Sequence, residues 1–301
     1  MKQWGKLVAV FCLLVLSLTA CQPMTHTDTQ EGVRPQRIVS LGVSNDEMVL
    51  EMVAPDRIAA ISDLPSNLPD AANRVEGRVI SSLESVMAYH PDLLVGAEWM
   101  HPDFIAQVRA AGIRVHLVKT PHTVTEIQEE VRALGDVLDT SSQAAKMNAD
   151  IDASLERIHR TVEQGHAAGR ESPRVAYYST VGISGGVGSL FDALCREMDM
   201  INVASEAGLP DGQVLSKEQL VSLAPDLIVI SGAEYDQDTY HAIGVEELMA
   251  DPSLQTVPAV VNGRICVVDA RHLLSLNRFI LEAGQTIAAY WYGEQGEKNE
   301  G

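Results

Sequence analysis

The chain has 301 residues, 46% of them hydrophobic, a formal net charge of −19 at pH 7 and only four cysteines. So acidic a chain lacks the basic stripe that nucleic acid requires, which excludes that class of partner. Four cysteines make no disulfide scaffold, and the length allows two α/β units with a substantial core in each.

The chain opens on MKQWGKLVAVFCLLVLSLTAC, in which Lys2 and Lys6 precede an apolar run from Leu7 to Ala20. The run is too short to span a membrane, so residues 1–20 read as an export signal. Leu18-Thr19-Ala20-Cys21 has the form of a lipobox, with Cys21 acylated as the first mature residue. The competing reading is an ordinary signal peptide with an incidental cysteine. Loss of Lys2 and Lys6 would take the net charge to −21. Residues 21–34 are polar and turn-prone and read as a tether, so the expected location is extracytoplasmic, on a lipid anchor.

Folded structure is expected from residue 35. Short β-type runs at 37–42, 57–62, 92–97 and 114–118 alternate with amphipathic segments, which predicts a parallel sheet covered by helices over residues 35–140. Ser44 and Glu47 have the spacing of a capping box, so a helix is expected to start at Val43–Ser44, on the sheet edge where ligands sit. Residues 141–168 carry Ala144, Met147, Ile151, Leu155, Ile158 and Val162 at three- and four-residue steps, the pattern of one long amphipathic helix. A second α/β unit is expected over 173–293, with strands at 174–180, 227–231 and 264–269 and a last helix from about Leu276 to Tyr292. Cys195 and Cys266 both fall in this second unit. An exported chain could bridge them or leave them free.

Two stretches repeat one skeleton at an offset of 134 residues: SSLESVMAYHPDLLVG at 81–96 and LSKEQLVSLAPDLIVI at 215–230. Ser82 pairs with Ser216, Glu84 with Glu218, and Pro91-Asp92-Leu93 with Pro225-Asp226-Leu227. The spacing is too long for a solenoid and implies two similar lobes. Each copy predicts a short helix with Glu on its first turn, stopped by Pro-Asp before a buried strand. Favourable electrostatics at a helix N-terminus would by itself account for either Glu.

Taken with RIVSLGVSNDE after the tether and VPAVVNGRICVVD near the end, this order of motifs resembles the substrate-binding lipoproteins of ABC importers for iron siderophores, haem and vitamin B12. The resemblance spans about residues 35–292 and implies two Rossmann-like lobes joined by one long α-helix, with the ligand cleft between them. It also implies that Glu84 and Glu218 project from the surface and pair with basic residues on the two halves of a permease dimer.

Within that fold the cleft is lined by loops at the carboxyl ends of strands. Trp99 is the Trp best placed to stack on a large planar ligand, with a Trp buried against its own lobe as the alternative. Ser44, Tyr178, Tyr235 and Arg271 are further ligand candidates. The tyrosines suit phenolate coordination and Arg271 suits an acidic chelate, against readings as core tyrosines and a surface ion pair. His101, His122 and His272 lie on three loops without ligand spacing, so no resident metal is expected. GISGGVGS lacks the Gly-Lys-Ser/Thr end of a phosphate loop, and no nucleophile motif occurs, so neither a cofactor nor catalysis is expected. The expected cargo is a ferric siderophore, haem or cobalamin. The alternatives are a carrier specific for cobalamin, a free Zn or Mn carrier, a surface sensor or a two-lobed enzyme.

Overall fold

The computed structural model describes residues 34–179, 185–232 and 244–293. Residues from Arg34 onward form one compact unit that contains two parallel sheets. The first has five strands, β1 (Ile38–Ser40), β2 (Ile58–Ser62), β3 (Arg78–Val79), β4 (Leu93–Ala97) and β5 (Arg114–Val118), in the order β3-β2-β1-β4-β5. The second has β6 (Arg174–Tyr177), β7 (Ile201–Asn202), β8 (Leu227–Ser231) and β9 (Ile265–Val268), in the order β7-β6-β8-β9. The central strands β1, β4, β6 and β8 are almost wholly buried, as strands covered on both faces must be. This explains their continuous rather than alternating apolar sequence.

The Pro-Asp pairs set the register of each sheet. Asp92 N–H donates to Arg37 O (3.0 Å), and its carboxylate accepts from the backbone N–H of Arg37 (3.1 Å) and of Gln36 (2.7 Å). In the second sheet Asp226 N–H donates to Arg174 O (2.8 Å) and Asp226 accepts from Arg174 N–H (3.0 Å). One residue further on, Ile38 aligns with Leu93 and Val175 with Leu227. Because a one-residue slip in a strand reverses its faces, a clamp at the entrance of the first strand fixes the whole ladder.

The expected long helix is Ser141–Ala167, 27 residues, or about 40 Å at 1.5 Å per residue. Its buried face includes Ala144, Met147, Ile151, Ile158 and Val162 and packs against Val124–Leu138 and Ile280–Tyr292. One continuous core runs from Ile38 and Leu93 through this helix to Val175, Val229 and Tyr292. The two sheets therefore share buried apolar packing.

The capping-box expectation is overturned. Helix Val43–Met52 does start where predicted, but its N-cap is Gly42, at φ 104°, with no side-chain cap. Ser44 and Glu47 have distant partners instead. Ser44 Oγ accepts from Leu276 N–H (3.0 Å), and Glu47 accepts from Asn67 N–H (2.6 Å), Ser66 Oγ (3.2 Å) and Asn277 Nδ2 (2.8 Å). Glu51, one turn on, holds Arg278 through Nε at 3.0 and 2.9 Å and through a further bond from Nη2. Ser44, Glu47 and Glu51 lie on one stripe of the helix, and that stripe ties the first sheet's opening helix to segment 276–278. The last helix accordingly begins at Ile280, later than expected. Asn277 is buried and caps segment 275–279, its Oδ1 accepting from Phe279 N–H (3.0 Å) and Ser275 Oγ (2.7 Å).

Candidate binding crevice

In sheet 1 the strand order reverses at β1, which lies between β2 and β4. Open α/β sheets bind ligands at such a switch, outside the carboxyl ends of the strands. There Gly42 turns the chain from β1 into helix Val43–Met52, and β4 runs out into Ala97 and Trp99. Gly42, Ser44, Ala97, Trp99, Lys119 and Thr120 line a hollow of about 110 Å³ that Leu274 and Leu276 close from the second sheet's side. Two of the predicted ligand residues, Ser44 and Trp99, thus share one crevice.

Trp99 is 66% exposed. An indole left that far in water has apolar area still to bury, which the reading of a Trp packed on its own lobe does not explain. Ser44 lines the hollow, with its hydroxyl already accepting from Leu276 N–H. A larger hollow of about 310 Å³ lies at the amino ends of the same strands, lined by residues such as Arg37, Asp56, Arg74 and Glu76. It contains none of the predicted ligand residues and sits at the wrong sheet edge for this fold.

The remaining candidates stand elsewhere. Tyr178 follows β6 but is only 6% exposed and packs among Ala176, Val203, Leu215 and Ile230, where burial raises its phenol above the usual range. The core reading therefore holds for it. Arg271 stands beside the junction, its backbone O accepting from Asn67 Nδ2 (3.2 Å). Its guanidinium grips Asp269 at 3.2 and 2.6 Å, and that hydrogen bonding holds the Asp269 carboxyl below its usual range. The charge intended for an acidic ligand is matched by its neighbour. Tyr235 and Cys21 lie outside the described residues.

The three histidines do not converge. His101 caps its own helix, Nδ1 accepting from Asp103 N–H (3.2 Å), and His272 stacks on Phe279 with ring centroids 6.2 Å apart. His122 bonds to the segment before helix Leu190–Glu197, its Nδ1–H donating to Gly188 O (2.8 Å). Among the described residues no group of three or more His, Cys, Asp or Glu is arranged to hold a metal. In the described part of the glycine-rich run, Gly186 is closely packed, and a Cβ there would lie 2.3 Å from Leu209 O. Cys195 and Cys266 are both free and buried.

Glu84 and Glu218 are both exposed. Each is the second residue of its helix, Leu83–Met87 or Lys217–Leu223, behind an N-cap serine whose hydroxyl accepts from the third residue's N–H. In the second copy Gln219 completes a capping box with Ser216, so Glu218 is not needed to close the helix end.

The arrangement is that of a two-lobed receptor with a crevice at the carboxyl edge of its sheets. The chain belongs to the periplasmic binding protein family, whose sequence pattern matches residues 38–272. Membership makes it a binding protein rather than an enzyme and implies a location outside the cytoplasm. It is 24% identical over 266 residues to a cobalamin-binding protein of Halobacterium salinarum, covering 84% of this chain and 70% of that one. It is 24% identical over 294 residues to the ferric-anguibactin-binding protein FatB of Vibrio anguillarum, covering 87% and 89%. The fold resembles that of the periplasmic haem-binding protein BhuT with a TM-score of 0.72 at 23% identity, covering 86% and 98% of the two chains.

Proposed function

We propose that this chain is a lipid-anchored receptor of an ABC importer. It captures a ferric siderophore, haem or a corrinoid in the crevice beside Trp99 and delivers it to the two halves of a permease. The observation that carries the reading is the exposed indole of Trp99 at the strand switch of sheet 1, backed by relatives named for corrinoid and ferric-chelate binding. Lys119 on the same wall suits an acidic ligand. The preference for an iron chelate no longer draws on Tyr178 or Arg271, which are buried and paired respectively.

Anchoring rests on Cys21 alone: fatty-acid label should enter the wild type and be lost in Cys21→Ala. The cargo is tested by titrating the purified protein with haemin, a ferric siderophore and cobalamin while following Trp fluorescence in wild type and Trp99→Phe. Quenching by one of the three that disappears in Trp99→Phe supports the reading. Failure of all three with tight binding of Zn²⁺ or Mn²⁺ overturns it in favour of a free-metal carrier.

A further inference from the structure

The repeated motif carries a feature beyond its glutamates. Four residues before Glu84 stands Ile80, 66% exposed, and four residues before Glu218 stands Val214, 42% exposed. The two pair at the same offset of 134 residues that relates the rest of the repeat. Neither belongs to its helix, because the N-caps are Ser82 and Ser216. Nor does a hydrophobic staple account for them. The staple position is the residue just before the cap, held in the second copy by buried Leu215 against buried Leu220, whereas Ile80 and Val214 lie one place earlier and face water. Met87, also exposed, follows Glu84 on the same helix.

We infer that Ile80 and Val214 are apolar contact points flanking Glu84 and Glu218, so that each lobe offers one carboxylate with one aliphatic neighbour to a membrane permease built of two like halves. This deepens the docking reading above and rests on it. Core packing does not account for Ile80 and Val214, branched side chains left in water at matched positions of the two copies. A two-fold partner can, since each copy then meets the same surface. An exposed carboxylate supplies orientation and on-rate, and the adjoining apolar group supplies contact that desolvates the pair.

The test places a photoreactive phenylalanine at 80, 84, 214 or 218 of the full chain in its native cells, with exposed Val261, outside the repeat, as control. Expected are adducts from 80 and 214 with one and the same polytopic membrane polypeptide, about tenfold stronger than from 261, and lost on combining Glu84→Lys with Glu218→Lys. Adducts from 84 and 218 with none from 80 and 214 would leave docking standing and remove the apolar contacts. Absence of adducts from all four would sink both readings. Adducts from 80 and 214 with a second copy of this chain, or with two unrelated proteins, would also overturn the inference.

Discussion

Tyr89 and Leu223 hold the same place in the two lobes: each, at a helix C-terminus, gives its carbonyl to the arginine that opens the first strand of its sheet. Arg37 Nη2 reaches Tyr89 O at 2.6 Å, and Arg174 Nη2 reaches Leu223 O at 3.3 Å. With Asp92 and Asp226 gripping the same two arginines through their backbones, helix end, strand start and neighbouring strand are fastened at one point. The Pro-Asp half of the repeat is therefore architecture. The chain bends into it through His90 and Ala224, both at positive φ (47° and 45°).

Removing either clamp should cost stability. Asp92→Ala and Asp226→Ala should each lower the unfolding free energy by about 1 kcal/mol, because the first leaves the N–H groups of Gln36 and Arg37, and the second that of Arg174, to find water. With no shared partners the two losses should add to within about 0.5 kcal/mol. Urea unfolding of both single variants and the double checks this, and a neutral double variant would refute the clamp.

Charge reversal separates docking from architecture in the other half of the repeat. Glu84→Lys and Glu218→Lys should each impair uptake, the double most, while haemin, siderophore or cobalamin affinity of the isolated protein stays within about threefold. Normal uptake in all three would return both glutamates to a helix-end role.

Asp46 predicts a pH dependence. Burial lifts its carboxyl from 3.8 to about 6, against the pull of hydrogen bonds from Ser62. Between those values the folded state binds the proton that the unfolded chain has released, so this stabilisation is full in acid and is lost as pH rises through about 6. The effect is bounded at ~3 kcal/mol, at 1.36 kcal/mol per pKa step. Thermal unfolding from pH 4 to 8 should show the slope in wild type and a flatter one in Asp46→Asn. Identical slopes would exclude Asp46 as its source.

The two buried thiols should be inert. Burial raises both, Cys266 to about 12 and Cys195 further, so neither offers thiolate near neutrality. Alkylation followed by peptide mass spectrometry should mark neither in the native protein and both in guanidinium. Protection that persists after unfolding and ends only with a reductant would reveal a bridge.

Lobe motion should be small. Small-angle scattering with and without the ligand found by Trp99 quenching should differ by no more than a few degrees of lobe rotation, because the lobes share a core and the Glu51–Arg278 contact. A large closure would contradict the connecting role of helix Ser141–Ala167.

The strands and the long helix were legible because their signals are local: buried parallel strands read as apolar runs, and one helical face repeats through Val162. Strands β3 and β7 have two residues each and offer no period to read. Ser44 and Glu47 misled because their spacing is that of a cap, while Ser44 is met by Leu276 and Glu47 by Asn67, Ser66 and Asn277, all of them outside the helix. The burial of Tyr178 and the pairing of Arg271 with Asp269 were not legible either. Whether a side chain meets ligand, core or a neighbouring carboxylate is settled by packing that no short window contains.

The shared core also bears on traffic at the membrane. A receptor whose outline barely changes on loading presents nearly the same face to its transporter whether empty or full. Vacant copies then compete with laden ones for the landing sites, and import follows the ratio of the two rather than the amount of cargo captured. Overproduction of the receptor in cargo-poor medium would in that case slow import, with vacant copies acting as its own inhibitor.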